Sequence, residues 1–98
     1  MQKVTITAVW NDGSVTREVT FDVTPAIQVE YESEAKKRHW PFLAESLLAG
    51  APWMTWRTLR RANVIGTPYD DFLNQLISYT SDAVDLEDPQ IEKVSLTS

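Results

Sequence analysis

An α+β fold is predicted: an N-terminal antiparallel β-hairpin, three to four α-helices and a mobile acidic C-terminal tail. Three observations predict it. Apolar and polar residues alternate from Lys3 to Val23, the spacing turns helical after Thr24-Pro25, and after Thr80 the helical period stops while acidic residues accumulate. The chain of 98 residues is one domain's worth of sequence. We therefore expect a single domain over residues 1–80 and a flexible acidic tail over 81–98.

The hairpin is expected over residues 3–23. In its first arm Val4, Ile6, Ala8 and Trp10 share one face, opposite Lys3, Thr5 and Thr7. Asn11-Asp12-Gly13-Ser14 accepts the positive φ of a tight turn, and Val15, Val19, Phe21 and Val23 then alternate with Thr16, Glu18, Thr20 and Asp22. Arg17 falls on the apolar face of that second arm, which marks an edge or a stem laid across the sheet with its head in water.

Thr24-Pro25 opens a helix expected over about residues 25–38, with Thr24 as cap and Pro25 at a position where no hydrogen bond is lost. Its apolar stripe is thin: Ile27, Tyr31 and Ala35. Glu32/Lys36 and Glu34/Arg38 are favourable pairs one turn apart. His39-Trp40-Pro41 ends the helix, because the residue before proline is pushed out of the α region. Residues 42–63 have helical composition, but Gly50-Ala51-Pro52 predicts either a sharp kink or two helices, about 42–49 and 52–63. A last helix is expected over about 68–79, opened by Thr67-Pro68 and carrying Tyr69, Phe72, Leu73, Leu76 and Ile77 at amphipathic spacing.

Composition excludes several classes of function. There is no cysteine and one histidine, which removes disulfide scaffolds, cysteine nucleophiles and Cys/His zinc sites. Cysteine absence is compatible with a reducing compartment. No apolar run is long enough to cross a bilayer, and the first residues lack the apolar core of a signal peptide, so the chain is expected to stay where it is made. The net charge is −5, distributed unevenly. Residues 1–80 carry eight Lys/Arg against nine Asp/Glu, whereas residues 81–98 carry Lys93 against Asp82, Asp85, Glu87, Asp88 and Glu92. That sign disfavours nucleic acid as the partner.

No catalytic, cofactor or metal constellation emerges. His39 has no identifiable partner for general-base work, and Ser33 and Ser46 lie in no nucleophile motif. Asp70 and Asp71 are adjacent on a helix and diverge by ~100°, so Asp70 is better read as a favourable charge in a first helical turn. Gly13, Gly50 and Gly66 form no phosphate loop. We therefore expect a non-enzyme without cofactor. The segment with most to offer is Trp53 to Arg61, where Trp53, Met54 and Trp56 lie beside Arg57, Arg60 and Arg61. Aromatics with guanidiniums suit stacked nucleic-acid bases or a protein interface, or else the tryptophans face the core with the arginines along its border; the acidic total sets nucleic acid behind the core reading, and four tryptophans in so small a chain favour a protein interface.

The order of these segments resembles that of the small tail assembly chaperones of long-tailed bacteriophages. The resemblance rests on the hairpin, the His39-Trp40-Pro41 junction, the Trp56-Arg57-Thr58-Leu59-Arg60-Arg61 helix, the Phe72-Leu73 helix that follows, and the acidic segment ending at Asp88-Pro89. It covers most of residues 3–90, and it departs where many relatives place Gly soon after the basic helix and this chain has Asn63, with Gly delayed to Gly66.

The resemblance implies the short product of a frameshifted gene pair preceding the tape measure gene. Such a chain coats and solubilises the tape measure protein in the host cytoplasm and is absent from the finished virion. The partners implied are the tape measure protein, the tail tube protein through a longer frameshifted product, and further copies of the chain itself. Codons for Glu92-Lys93 are purine-rich, as a slippery site tolerates. The expected contact residues are Trp53, Met54, Trp56, Arg57, Arg60 and Arg61, with Trp53, Met54 and Trp56 as the best candidates and Trp56, by its spacing, the likelier core residue of the tryptophan pair. The other classes compatible with the sequence are a head-to-tail joining protein that stays in the virion and a small DNA-binding regulator using the residue 53–61 helix.

Overall fold

A computed structural model describes residues 2–85. They form β1 (Gln2–Asp12), β2 (Val15–Asp22), α1 (Pro25–Arg38), α2 (Leu47–Arg61), α3 (Tyr69–Gln75) and β3 (Leu76–Asp85). The sheet is antiparallel with order β2-β1-β3, so among the described residues β1 is central and both of its neighbours are edges.

The hairpin forms where its alternation places it. Asp12 pairs with Val15 across Gly13-Ser14, and Gly13 takes φ +69°, which a residue with a Cβ adopts only with strain. Val4, Ile6, Ala8 and Trp10 are all buried on the face that meets the helices. The opposite face is polar and tied by side chains: Thr5 Oγ1 donates to Asp22 Oδ1 at 2.9 Å, and the Thr7 and Thr20 hydroxyls lie 3.0 Å apart. Arg17 sits opposite Trp10, its guanidinium 5.5 Å from the indole and 3.1 Å from Asp12 Oδ2, so it does cross the sheet with its head at the exposed edge.

α1 has the expected bounds and caps. The Thr24 hydroxyl accepts from the Ile27 amide at 3.3 Å, and the helix ends on His39 in the left-handed region, with the Trp40 amide donating to the Ala35 carbonyl. Its thin stripe of Ile27, Tyr31 and Ala35 is buried, and α1 packs against α2.

Two helical expectations need correction. In place of helices over 42–49 and 52–63 there is one, α2, from Leu47 to Arg61, which gives three helices among the described residues. Residues 42–46 are held in turns: Glu45 and Ser46 amides donate to the Phe42 carbonyl, and the Leu43 amide donates to Glu32 of α1 at 2.9 Å. Ser46 then caps the helix, its hydroxyl accepting from the Ala49 amide. Pro52 is tolerated because it lies in the second turn, where it removes only one of the first intrahelical bonds. Burial of every residue from Gly50 to Thr55 outweighs that loss. At Thr55 the hydroxyl donates to the Ala51 carbonyl, so no polar group is stranded there.

Gly50 is where α2 passes closest to α1. A Cβ there would lie 2.7 Å from Leu43 Cδ2 and 3.0 Å from Tyr31 Cζ. Leu43 can swing aside, but the ring of Tyr31 is fixed by its hydroxyl, which donates to the Pro41 carbonyl at 2.7 Å. Gly50→Val is therefore expected to destabilise by about 1 to 3 kcal/mol, the range for overpacking a filled core, despite the better helix propensity of the new residue. Urea unfolding checks this, and an unchanged midpoint would show that the helices separate freely.

The second correction concerns the chain after Gln75. The helix expected over 68–79 stops at Gln75, and Leu76 takes φ −70°, ψ 124° and starts β3. Leu76, Tyr79, Ser81 and Ala83 lie opposite Trp10, Ala8, Ile6 and Val4, with Ile77 taken up in a bulge. The free edge of β1 wins over helical spacing because Ile77, Tyr79 and Thr80 are good strand formers. Residues 81–85, assigned above to a tail, thus belong to the sheet, and residues 86–98 of that expected tail lie outside the described residues.

Candidate functional site

α1, α2, α3 and the turn after α1 converge on five aromatic rings. Tyr31 meets Trp53 at 6.0 Å between centroids, Trp53 meets Trp56 at 5.9 Å, Trp56 meets Tyr69 at 5.6 Å, Tyr69 meets Trp40 at 5.9 Å, and Trp40 returns to Tyr31 at 6.2 Å. The contacts close into a circuit linking all three helices. Four of the five are tilted or edge-on, the arrangement that aligns the positive ring edge with the negative face. The Trp56 indole N–H donates to the Thr67 carbonyl at 2.8 Å, and this ties α2 to the strand of chain leading into α3.

Two adjoining grooves open over this circuit and share Arg38, Trp56 and Tyr69. The first, of about 340 Å³, also takes Glu30, Glu34, Trp53 and Arg57 into its lining. The second, of about 390 Å³, is completed by Arg60, Pro68 and Asp70.

The charges on the rim are ordered. Glu30 of α1 receives Arg57 at 3.1 Å on one oxygen and Arg61 at 3.3 Å on the other, so two residues one turn apart on α2 clamp a single carboxylate. These groups are part-exposed, and the pairs contribute no more than about 1 kcal/mol each. Arg38 pairs with Glu34 at 2.8 Å while lying 4.9 Å over Trp40. Arg60 lies 5.7 Å over Trp56 and donates to the Gly66 carbonyl at 2.7 Å. Its helix ends in a Schellman motif, with Val64 donating to Leu59 and Asn63 to Arg60. Asn63, at φ 59°, occupies the left-handed position that glycine usually takes.

The six residues expected at the site separate. Met54 is fully buried, and Trp53 is 6% exposed with only an edge in the lining of the first groove, so both pack in the core and neither offers the broad exposed surface expected of a main contact. Trp56, by spacing the likelier core residue of the two tryptophans, is instead half-buried and lines both grooves. Arg57 and Arg60 each line one groove, and Arg61 supports the first through Glu30. The three-residue spacing of Trp53, Trp56 and Leu59 misled because α2 is buried on nearly all sides in its first half and on one side in its second. Arg38, Trp40, Tyr69, Glu30 and Glu34 were missed. Only the density of aromatics outside α2 hinted at them.

Burial pushes the Tyr69 hydroxyl up to about 12, with lesser contributions from Tyr31, Tyr79 and Asp70 against the opposing pull of Arg38. The unfolded chain ionises tyrosine near 10.0, so the stability held in neutral Tyr69 is complete below that pH and is lost as pH rises from there through about 12. An ultraviolet titration of Tyr69→Phe against the parent should remove the latest-ionising tyrosine. Loss of an early one would place Tyr69 in water.

No protein-family model matches the chain, and no curated protein or solved structure is significantly similar to it. Among the described residues no group of three or more side chains is placed to hold a metal ion, and no helix is long and apolar enough to cross a membrane. What the site offers is ring faces, guanidinium edges and three carboxylates already facing arginines or a helix start. Ring faces and guanidinium edges are the chemistry that suits contact with apolar and acidic groups.

Proposed function

We propose that this chain is a tail assembly chaperone of a long-tailed bacteriophage, which coats and solubilises the tape measure protein in the host cytoplasm and leaves before the virion is complete. The observation that carries the reading is the groove floored by Trp56 and Tyr69, an apolar but rigid surface on a small acidic chain. The order of segments from the hairpin through Arg57, Arg60 and Arg61 supports it by resemblance. A long helical partner exposes apolar surface until the tube encloses it, and aromatic contacts cover such surface with little demand on sequence. A net charge of −5 keeps many gathered copies from precipitating. The tail tube protein would be recruited by a longer frameshifted product.

The contact residues in this proposal are Trp56, Arg57 and Arg60, backed by Arg61 through Glu30. Trp53 and Met54 act by holding the floor in place. The reading is tested by following the chain through infection with a specific antibody. It should co-purify with the tape measure protein before tails form and be missing from purified particles. A fixed copy number in particles would instead identify a joining protein, and duplex-DNA affinity falling steeply with salt would identify a regulator.

A further inference from the structure

We propose that the groove between Arg38 and Arg60 is the docking slot for an acidic peptide segment of the protein partner, which lays an apolar side chain on Trp56 and Tyr69 and sets a carboxylate against the two guanidiniums. This rests on the reading of the chain as a protein-binding chaperone and gives that reading a ligand chemistry.

Charge complementarity selects the occupant. Around the grooves stand Arg38, Arg57, Arg60 and Arg61 against Glu30, Glu34 and Asp70, one positive charge in excess on a chain whose total is −5. Among the described residues only Arg60 and Asp70 of this set form no ion pair, and Asp70 stands in the first turn of α3. Glu30 and Glu34 are engaged by Arg57, Arg61 and Arg38, whereas Arg60 has no carboxylate within ion-pair distance among the described residues and spends one N–H on a backbone carbonyl. A guanidinium laid over an indole keeps its edge donors pointing outward in a plane that matches a carboxylate. The floor beneath is pre-ordered, since Trp56 is fixed by Thr67 and Tyr69 by its ring neighbours, so little freedom is lost on binding. The carboxylates of Glu34 and Asp70 argue against nucleic acid, whose phosphates recur along the strand and would face them. A peptide needs to bring only one negative charge.

The test uses the full chain and synthetic probes: a fluorescent amphipathic peptide of leucine, alanine and glutamate, the same peptide with lysine for glutamate, and a fluorescent single-stranded oligonucleotide, each titrated by anisotropy. The glutamate peptide should bind at least about tenfold more tightly than the lysine peptide, and Arg60→Gln should weaken it about fivefold to tenfold. Arg17→Gln, on edge strand β2 and in the lining of neither groove, should leave it unchanged, and circular dichroism should match the parent for both variants. Equal binding of the two peptides, no effect of Arg60→Gln, or tighter binding of the oligonucleotide would overturn the proposal. Failure here with co-purification of the tape measure protein intact would locate that contact elsewhere. Success here without co-purification would leave the slot standing and remove the phage partner.

Discussion

Phe72→Ala should cost about 3 to 5 kcal/mol in unfolding free energy, the range for deleting a buried aromatic ring. Phe72 is fully buried, with its ring 6.1 Å from that of Trp10, and it packs in a cluster with Leu59 bordered by Val19, Trp56, Ile65 and Leu76. Three elements meet on this side chain: the central strand, the end of α2 and the short α3. The seven residues of α3 are too few to form a stable helix by themselves, so it depends on packing, with Phe72 as its fully buried anchor beside the ring contacts of Tyr69. Leu76 reads as its equal on helical spacing, but it begins β3 and is only half-buried, so Leu76→Ala should cost less than about 2 kcal/mol. Denaturant unfolding of both variants separates the cases. Equal losses would put Leu76 on the helix after all.

Trp10 makes the second large prediction, and its two substitutions should part company. The side chain is 1% exposed on the central strand, and Trp10→Ala should lose about 3 to 5 kcal/mol. The indole N–H, however, is buried without a hydrogen-bond partner, and that unsatisfied donor costs about 1 to 3 kcal/mol in the native protein. Trp10→Phe removes the donor along with part of the ring, so the two effects offset and the net change should stay within about 1 kcal/mol. A Phe variant as unstable as the Ala variant would mean that the N–H is satisfied. Because Trp10 and Phe72 share a cluster, the double Ala variant should lose less than the two single losses combined.

These positions also show where sequence reasoning holds. The hairpin and α1 were legible to within a residue, since alternation, Gly13 and the Thr24-Pro25 start are local signals that tertiary contacts reinforced. The third strand was not. Leu73, Leu76 and Ile77 imitate a helical stripe, yet Leu73 is 40% and Ile77 55% exposed, because the real partner of this segment is a strand some seventy residues upstream in the register Trp10 to Leu76. The one local mark, the strand-forming Ile77, Tyr79 and Thr80, was overlaid by the helical spacing. Pro52 was given too much weight: its missing bond lies near the helix start, where Ser46 had already supplied a cap that the sequence displayed.

The site was half legible for the same reason. The stretch from Trp53 to Arg61 holds Trp56, Arg57 and Arg60, but its inner and outer faces were exchanged, since helical spacing alone does not tell which side meets the sheet. The other half of the groove comes from Arg38 and Tyr69, which only the folding of α1 and α3 against α2 brings alongside.

The most direct measurement is the soluble fraction of the tape measure protein expressed alone, with this chain, and with its Arg60→Gln variant. The account predicts that the partner is soluble with the parent chain, aggregates alone, and is partly rescued by the variant. If it aggregates to the same extent in all three, the chaperone reading is contradicted.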